Sequence, residues 1–135
     1  MNFVFLTTDE VLALHADQIE RYGGSLGVRD VGLLQSALAV PKATLGGALL
    51  HPSLPEVAAA YLFHLVRDHP FVDGNKRTGL MAMIAFLGLN GFRLRIYPGG
   101  LEELLLGVAE GRISKAEVAV FVQRHTRARR SGGRP

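Results

Sequence analysis

The sequence predicts a mainly α fold, a single helical domain of about six helices with a small two-stranded β ribbon. Two observations point to the helices. Thr7-x-x-Glu10, Ser53-x-x-Glu56 and Ser114-x-x-Glu117 each place a hydroxyl three residues before a glutamate and ahead of an apolar run, which is the pattern of a helix start. Gly23-Gly24, Pro41 and Asn90-Gly91 supply matching stops. A third observation limits the β content: only residues 3–6 and 92–97 carry strand formers or a period of two.

Residues 3–6 (Phe-Val-Phe-Leu) read as a short strand that ends at Thr7, the cap of the first helix. That helix groups Val11, Leu12, Leu14, Ile19 and Tyr22 on one face and ends at Gly23-Gly24. A second helix is expected over residues 30–40, with Val31, Leu34 and Leu38 inward and Pro41 as its stop. Residues 41–52 show no sustained period and read as a loop. Ser53, with Pro55 in the first turn, opens a third helix whose run over residues 57–66 is apolar on nearly every side, as a central helix must be. A fourth helix, starting at Asn75 or Lys76 and running to Leu89, is equally apolar. Residues 92–97 alternate apolar and charged side chains and are the expected partner of residues 3–6. Amphipathic helices over residues 101–110 and from Ser114 to about residue 126 complete the set.

With 135 residues, 48% of them apolar, the chain can bury one core but not two ordinary ones. We therefore expect one domain over residues 1–125 and a disordered basic tail over residues 126–135. The net charge of +3 belongs to that end: removing Arg124, Arg127, Arg129, Arg130 and Arg134 leaves residues 1–123 at −2. A Gly/Arg/Pro-rich end without aromatics reads as a solubilising extension rather than a nucleic-acid contact. No cysteine is present, which excludes disulfides and thiolate nucleophiles and fits a reducing cytoplasm. The start lacks a cationic segment ahead of its four apolar residues, so no secretory signal is expected. The longest apolar stretch, residues 79–89, is too short to span a bilayer.

The chemistry concentrates between the two most apolar helices. Residues 69–78 read His-Pro-Phe-Val-Asp-Gly-Asn-Lys-Arg-Thr, six of them polar, which suggests a pocket floor rather than a random surface turn. Asp73-Gly74 reverses the chain and feeds Asn75, Lys76 and Arg77 into the first turn of the fourth helix. Unpaired amides and the positive dipole end there attract phosphate oxygens. Lys76 and Arg77 face the positive pole of their own helix, an unfavourable arrangement that a bound polyphosphate resolves. Asp73 is suited to hold Mg²⁺ between phosphate groups. The His69 imidazole can accept a proton from an attacking hydroxyl. Phe71 is expected to anchor the loop inward, and His64 to be a satisfied core residue. His15, His51 and His125 have no partner at metal-binding spacing.

His69-x-Phe71-x-Asp73-Gly74-Asn75-Lys76-Arg77-Thr78 resembles the signature loop of the Fic/Doc superfamily in its death-on-curing form. Eight specified positions at about 5% each coincide by chance with a probability on the order of 10⁻¹⁰. The likeness extends to Leu12-x-Leu14-His15, to Arg21-Tyr22-Gly23-Gly24 and to Leu89-Asn90-Gly91. It implies a Fic-type helical domain and a toxin–antitoxin setting. It further implies ATP- and Mg²⁺-dependent modification of a hydroxyl on elongation factor Tu, arresting translation. By the same resemblance, His69, Asp73 and Lys76 are the catalytic residues, with His69 the base and Asp73 the metal ligand, and Gly74, Asn75, Lys76 and Arg77 hold the nucleotide. No Ser/Thr-x-x-x-Glu-Gly inhibitory helix occurs in the sequence, so the expected inhibitor is a separate small antitoxin of the Phd kind. Adenylylating relatives carry glycine at the position of Lys76 and a second arginine at that of Leu80. Both departures match the Doc type and favour phosphoryl over AMP transfer, while Gly74, where Doc carries alanine, retains some Fic character.

Overall fold

The computed structural model describes residues 2–96 and 99–129. Along the chain run α1 (Thr8–Tyr22), α2 (Val31–Ala39), a 3₁₀ turn (Val40–Lys42), β1 (Thr44–Leu45), β2 (Ala48–Leu49), α3 (Leu54–Arg67), α4 (Asn75–Leu89), β3 (Phe92–Leu94), α5 (Gly100–Ala109), α6 (Lys115–His125) and β4 (Thr126–Ala128). All three expected capping boxes form: the hydroxyls of Thr7, Ser53 and Ser114 accept from the N–H of Glu10, Glu56 and Glu117, and each glutamate reaches back to the cap. Asp30 caps α2 by accepting from the Leu33 N–H at 2.9 Å. No helix is long and apolar enough to cross a membrane among the described residues.

Helix α3 is the axle. Val57, Ala58, Ala59, Ala60, Tyr61, Leu62 and Leu65 are fully buried on it, because α2, α4, α5 and α6 pack around its sides. Helix α4 lies closest, and the approach is made at Gly79, where an added Cβ would stand 2.8 Å from Val66 Cγ2 and 3.2 Å from the Leu62 carbonyl oxygen. The two apolar helices therefore press together with backbone near backbone. The loop joining them, which holds the polar cluster, is fixed at both ends by that contact.

Residues 3–6 do not form the expected strand. The segment is extended, but its polar groups are met by side chains: Val4 N–H donates to Asn90 Oδ1 at 2.8 Å, Asn90 Nδ2 donates to the Val4 carbonyl at 2.9 Å, and Leu6 N–H donates to Tyr61 Oη at 2.9 Å. Burial pushes the Tyr61 phenol up to about 12, so it stays neutral beside that amide. Phe3 and Phe5 both pack against Phe86, at 6.0 and 6.1 Å between ring centroids. Strand β3 pairs instead with β4, in the register Phe92↔Ala128, Arg93↔Arg127 and Leu94↔Thr126. The backbone leaves α6 at Thr126 in an extended conformation that runs straight into this ladder. The expected disordered tail thus begins too early at residue 126: residues 126–128 are strand, and Arg129 N–H donates to the Gly91 carbonyl at 2.8 Å. The remainder of the tail, residues 130–135, and residue 97 of the expected second strand lie outside the described residues. Residues 41–52, expected as loop, contain the β1–β2 hairpin, whose turn residues Gly46 and Gly47 both have positive φ, +61° and +83°, as a type I′ turn requires.

Between α3 and α6, Lys115 Nζ donates to His64 Nε2 at 3.1 Å, and the Asp68 carboxylate lies 3.8 Å from His64 Nδ1. Burial, then the neighbouring Lys115 and His51, push the His64 imidazole down to about 4.

Two outcomes are expected. Gly79→Ala wedges α3 from α4 and lowers stability by about 1–2 kcal/mol despite its better helix propensity, read as a lower denaturation midpoint at unchanged slope. Because the unfolded chain protonates His64 near 6.5 while the folded chain resists until about 4, stability falls as pH drops through that window. In His64→Gln that fall is reduced, as measured by urea midpoints at stepwise pH.

Candidate active site

The C-terminus of α3 and the N-terminus of α4 meet at the loop of residues 68–74. Helix α3 closes at Asp68, whose N–H donates to the His64 carbonyl, and His69 follows with φ +53°, the one non-glycine residue at positive φ among the described residues. Helices commonly end in that left-handed conformation, but glycine or asparagine usually adopts it. A histidine there costs about 1 kcal/mol. Pro70 follows, so the helix cannot continue, and the chain turns with the His69 side chain exposed.

Phe71 is fully buried, as expected, and is the hinge of the loop. Its ring stacks on His15 of α1 at 3.8 Å between centroids, and His15 Nε2 lies 2.8 Å from the Asp73 carbonyl oxygen. The buried Asn75 side chain grips Phe71 from the other side: Phe71 N–H donates to Asn75 Oδ1 at 2.9 Å and Asn75 Nδ2 donates to the Phe71 carbonyl at 3.0 Å. The lead-in to α2 straps the outside, with Arg29 and Asp30 N–H both donating to the Pro70 carbonyl, at 2.7 and 3.1 Å, and Val72 N–H donating to the Gly27 carbonyl at 3.0 Å.

Gly74, at φ +78°, caps α4 without a side-chain hydrogen bond. The first main-chain bond of the helix runs from Thr78 N–H to the Gly74 carbonyl at 2.9 Å. The N–H groups of Asn75, Lys76 and Arg77 have no acceptor among the described residues. Asn75 therefore offers only its main-chain N–H, because its side chain is spent on Phe71. Gly74 itself has little room, since an added Cβ would lie 3.0 Å from Ile19 Cδ1.

Asp73 is exposed, yet its carboxylate is oriented. Ser25 N–H donates to Oδ2 at 3.2 Å and Gly74 N–H donates to Oδ1 at 2.9 Å, and these two donors, with smaller help from Arg77 and His15, hold its carboxyl below the ordinary value. A Cβ at Gly24 would come within 2.6 Å of Asp73 Oδ2, and its φ of +118° is one that L side chains rarely adopt, so that turn favours glycine. Arg77 Nη2 donates to the Gly23 carbonyl at 3.0 Å, with the guanidinium 5.6 Å from the Tyr22 ring centroid. Arg77 is thus partly committed to the end of α1, whereas Lys76 is exposed and has no partner among the described residues. Tyr22, Gly23 and Gly24 thus meet the site residues Arg77 and Asp73 from the end of α1.

The end of α3, the loop and the first turn of α4 line a cavity of about 530 Å³, formed by Val66, Arg67, His69, Asp73, Lys76 and Arg77 among others, a size common for ligand sites. Arg67, which the sequence did not single out, adds a cation from α3, held there by donating to the Ala109 carbonyl at 3.2 Å. Its position in the last turn of α3 was readable, but not the α5 end that turns it toward the pocket. Leu80 is partly buried and packs against the core. Among the described residues, no three His, Asp or Glu side chains are grouped to hold a metal ion by themselves. A cation here would rest on Asp73, phosphate oxygens and water, which suits Mg²⁺. A second concavity, about 790 Å³ and lined by Arg93, Arg95, Arg124 and Arg127, lies at the opposite end of α4. It carries charge but no carboxylate, and its one imidazole, that of His125, is bonded to the Phe121 carbonyl and stacked on the Phe121 ring.

Comparison with known proteins places this geometry. The Fic/DOC family description matches residues 5–87, from the segment before α1 to near the end of α4. A protein named Toxin Doc from Mycolicibacterium smegmatis is 51% identical over 73 residues, 54% of this chain and 56% of that relative's length. One named Protein kinase doc from Escherichia phage P1 is 36% identical over 119 residues, 88% of this chain and 93% of the relative. With the family pattern matched over most of α1–α4 and the phage relative aligned nearly end to end, the chain belongs to the Fic/DOC family.

Proposed function

We propose that this protein is a Doc-type toxin that transfers the γ-phosphoryl group of ATP to a serine or threonine hydroxyl of a target protein. The observation that carries the reading is the start of α4, where three main-chain N–H groups without partners, the free Lys76 ammonium and the Arg77 guanidinium converge beside an oriented carboxylate and an exposed imidazole. The phosphates lie against the amides of Asn75, Lys76 and Arg77, at the turn that Gly74 makes. Asp73 would hold Mg²⁺, which when bound would neutralise charge on the phosphate oxygens. His69 takes the proton of the target hydroxyl as its oxygen bonds to the γ-phosphorus and the bond to the β-phosphate oxygen breaks, leaving ADP.

The phage relative's name, Protein kinase doc, supports phosphoryl transfer as the reaction. Lys76 supports it too, because its side chain fills space that a glycine at that position leaves to a phosphate. The target we propose is elongation factor Tu, with arrest of translation in the cytoplasm as the consequence. The partner is a small Phd-like antitoxin, in keeping with the name of the Mycolicibacterium smegmatis relative, Toxin Doc. AMP transfer is the second reading, favoured by Gly74.

Incubation of purified protein and elongation factor Tu with ATP radiolabelled at either the α or the γ phosphorus tests the proposal. Label is expected from the γ position alone, reduced at least about 100-fold in His69→Ala and abolished by chelating Mg²⁺. Label from the α position alone establishes AMP transfer instead. Absence of label from both overturns the nucleotide-transfer reading for this target.

A further inference from the structure

The main-chain strap from residues 27–30 fixes where the loop runs, but it does not fix how residue 69 is turned. That rotation is set by the two peptide planes flanking the His69 Cα, one carrying the Asp68 carbonyl and the other the His69 carbonyl. Both oxygens are held by one side chain: Arg29 Nε donates to the His69 carbonyl at 2.7 Å and Arg29 Nη2 donates to the Asp68 carbonyl at 3.1 Å. The guanidinium is planar and rigid, so the two bonds fix the two planes relative to each other. They also satisfy carbonyls left without partners at the end of α3, where a cation is favourable. His69 sits between them at φ +53°, a conformation that a histidine does not hold by preference.

We infer that Arg29 is a positioning residue for the reaction proposed above: its two-pronged clamp on the Asp68 and His69 carbonyls keeps His69 left-handed and so aims the imidazole into the phosphate cavity. The inference rests on His69 acting in the transfer. Among the described residues Arg29 makes no hydrogen bond to the first turn of α4 or to Asp73, so it acts on the geometry of the base and not on nucleotide binding. The strap itself uses main-chain groups of Gly27, Arg29, Asp30, Pro70 and Val72, so none of its bonds depends on the Arg29 side chain.

The test compares Arg29→Gln and Arg29→Lys with the unchanged protein in γ-phosphoryl transfer. In Arg29→Gln, kcat is expected to fall on the order of 10- to 100-fold, as a small misplacement of a reacting group does, with KM for ATP within about twofold. Arg29→Lys, which can still donate to one carbonyl, recovers part of the loss. An unchanged kcat, or a loss carried by KM, or a lysine variant no better than glutamine, overturns the inference. A crystal structure of Arg29→Gln reads the clamp without the reaction: His69 leaving positive φ supports it, and His69 retained there contradicts it. Should the unchanged protein transfer nothing from ATP, the proposed reaction fails, and that crystal structure still decides the clamp.

Discussion

The loop between α3 and α4 must be polar on its outer side and anchored in an apolar core on its inner side, and the pair of hydrogen bonds between the Asn75 side chain and the Phe71 backbone reconciles the two demands. A buried backbone N–H and C=O left unpaired would each cost about 1–3 kcal/mol. Asn75 satisfies both at once, four residues along, and this reciprocal closure curls the chain so that Gly74 can start a helix whose first amides face outward. With Phe71 locked under His15, the Asp73 carboxylate, the Lys76 ammonium and the three amides all take their places from the same turn. The site is therefore set by how one helix begins.

Much of this was legible in the sequence because the relevant signals are local. The three capping boxes, the glycine stops and the all-round apolar character of α3 and α4 follow from side chains three or four residues apart, and they set the helices nearly to the residue. Pairing of strands is not local. Residues 3–6 have strand composition, but their partners turned out to be the Asn90 amide and the Tyr61 hydroxyl, 86 and 55 residues away, and no period in the sequence announces a side chain taking the place of a strand. Nor does an arginine-rich end announce a strand, since what recruits Thr126–Ala128 is the free edge of β3.

At the site the residue types were legible and the division of labour only partly so. Asn75 was expected among the groups that hold phosphate, without a division between its side chain and its N–H; the side chain is buried on Phe71 and the N–H is the outward group. Arg77 shares its guanidinium with the end of α1, which gives the Tyr22-Gly23-Gly24 segment a physical reason: Gly23 supplies a carbonyl, Tyr22 a ring face, and Gly24 the space for Asp73. His15 is a wall of the loop, not a ligand. Each of these contacts joins α1 to the loop across about fifty residues of chain, and only the folded molecule brings them together.

Two concave surfaces could attract a nucleotide by charge, and they lie at opposite ends of α4. The larger, between Arg93, Arg95, Arg124 and Arg127, has the more cations, whereas the smaller has unpaired amides, an oriented carboxylate and an exposed imidazole beside them. Directed groups outrank net charge in selecting where a polyphosphate settles, because each aimed N–H meets a particular oxygen while a diffuse patch of cations holds none in place. A crystal structure with Mg²⁺ and a non-hydrolysable ATP analogue compares the two surfaces directly. Phosphate oxygens are expected on the N–H groups of Asn75, Lys76 and Arg77, with His69 facing the terminal phosphorus. A nucleotide lodged against the Arg93–Arg127 strand pair, with the α4 start bare, contradicts the assignment of the site.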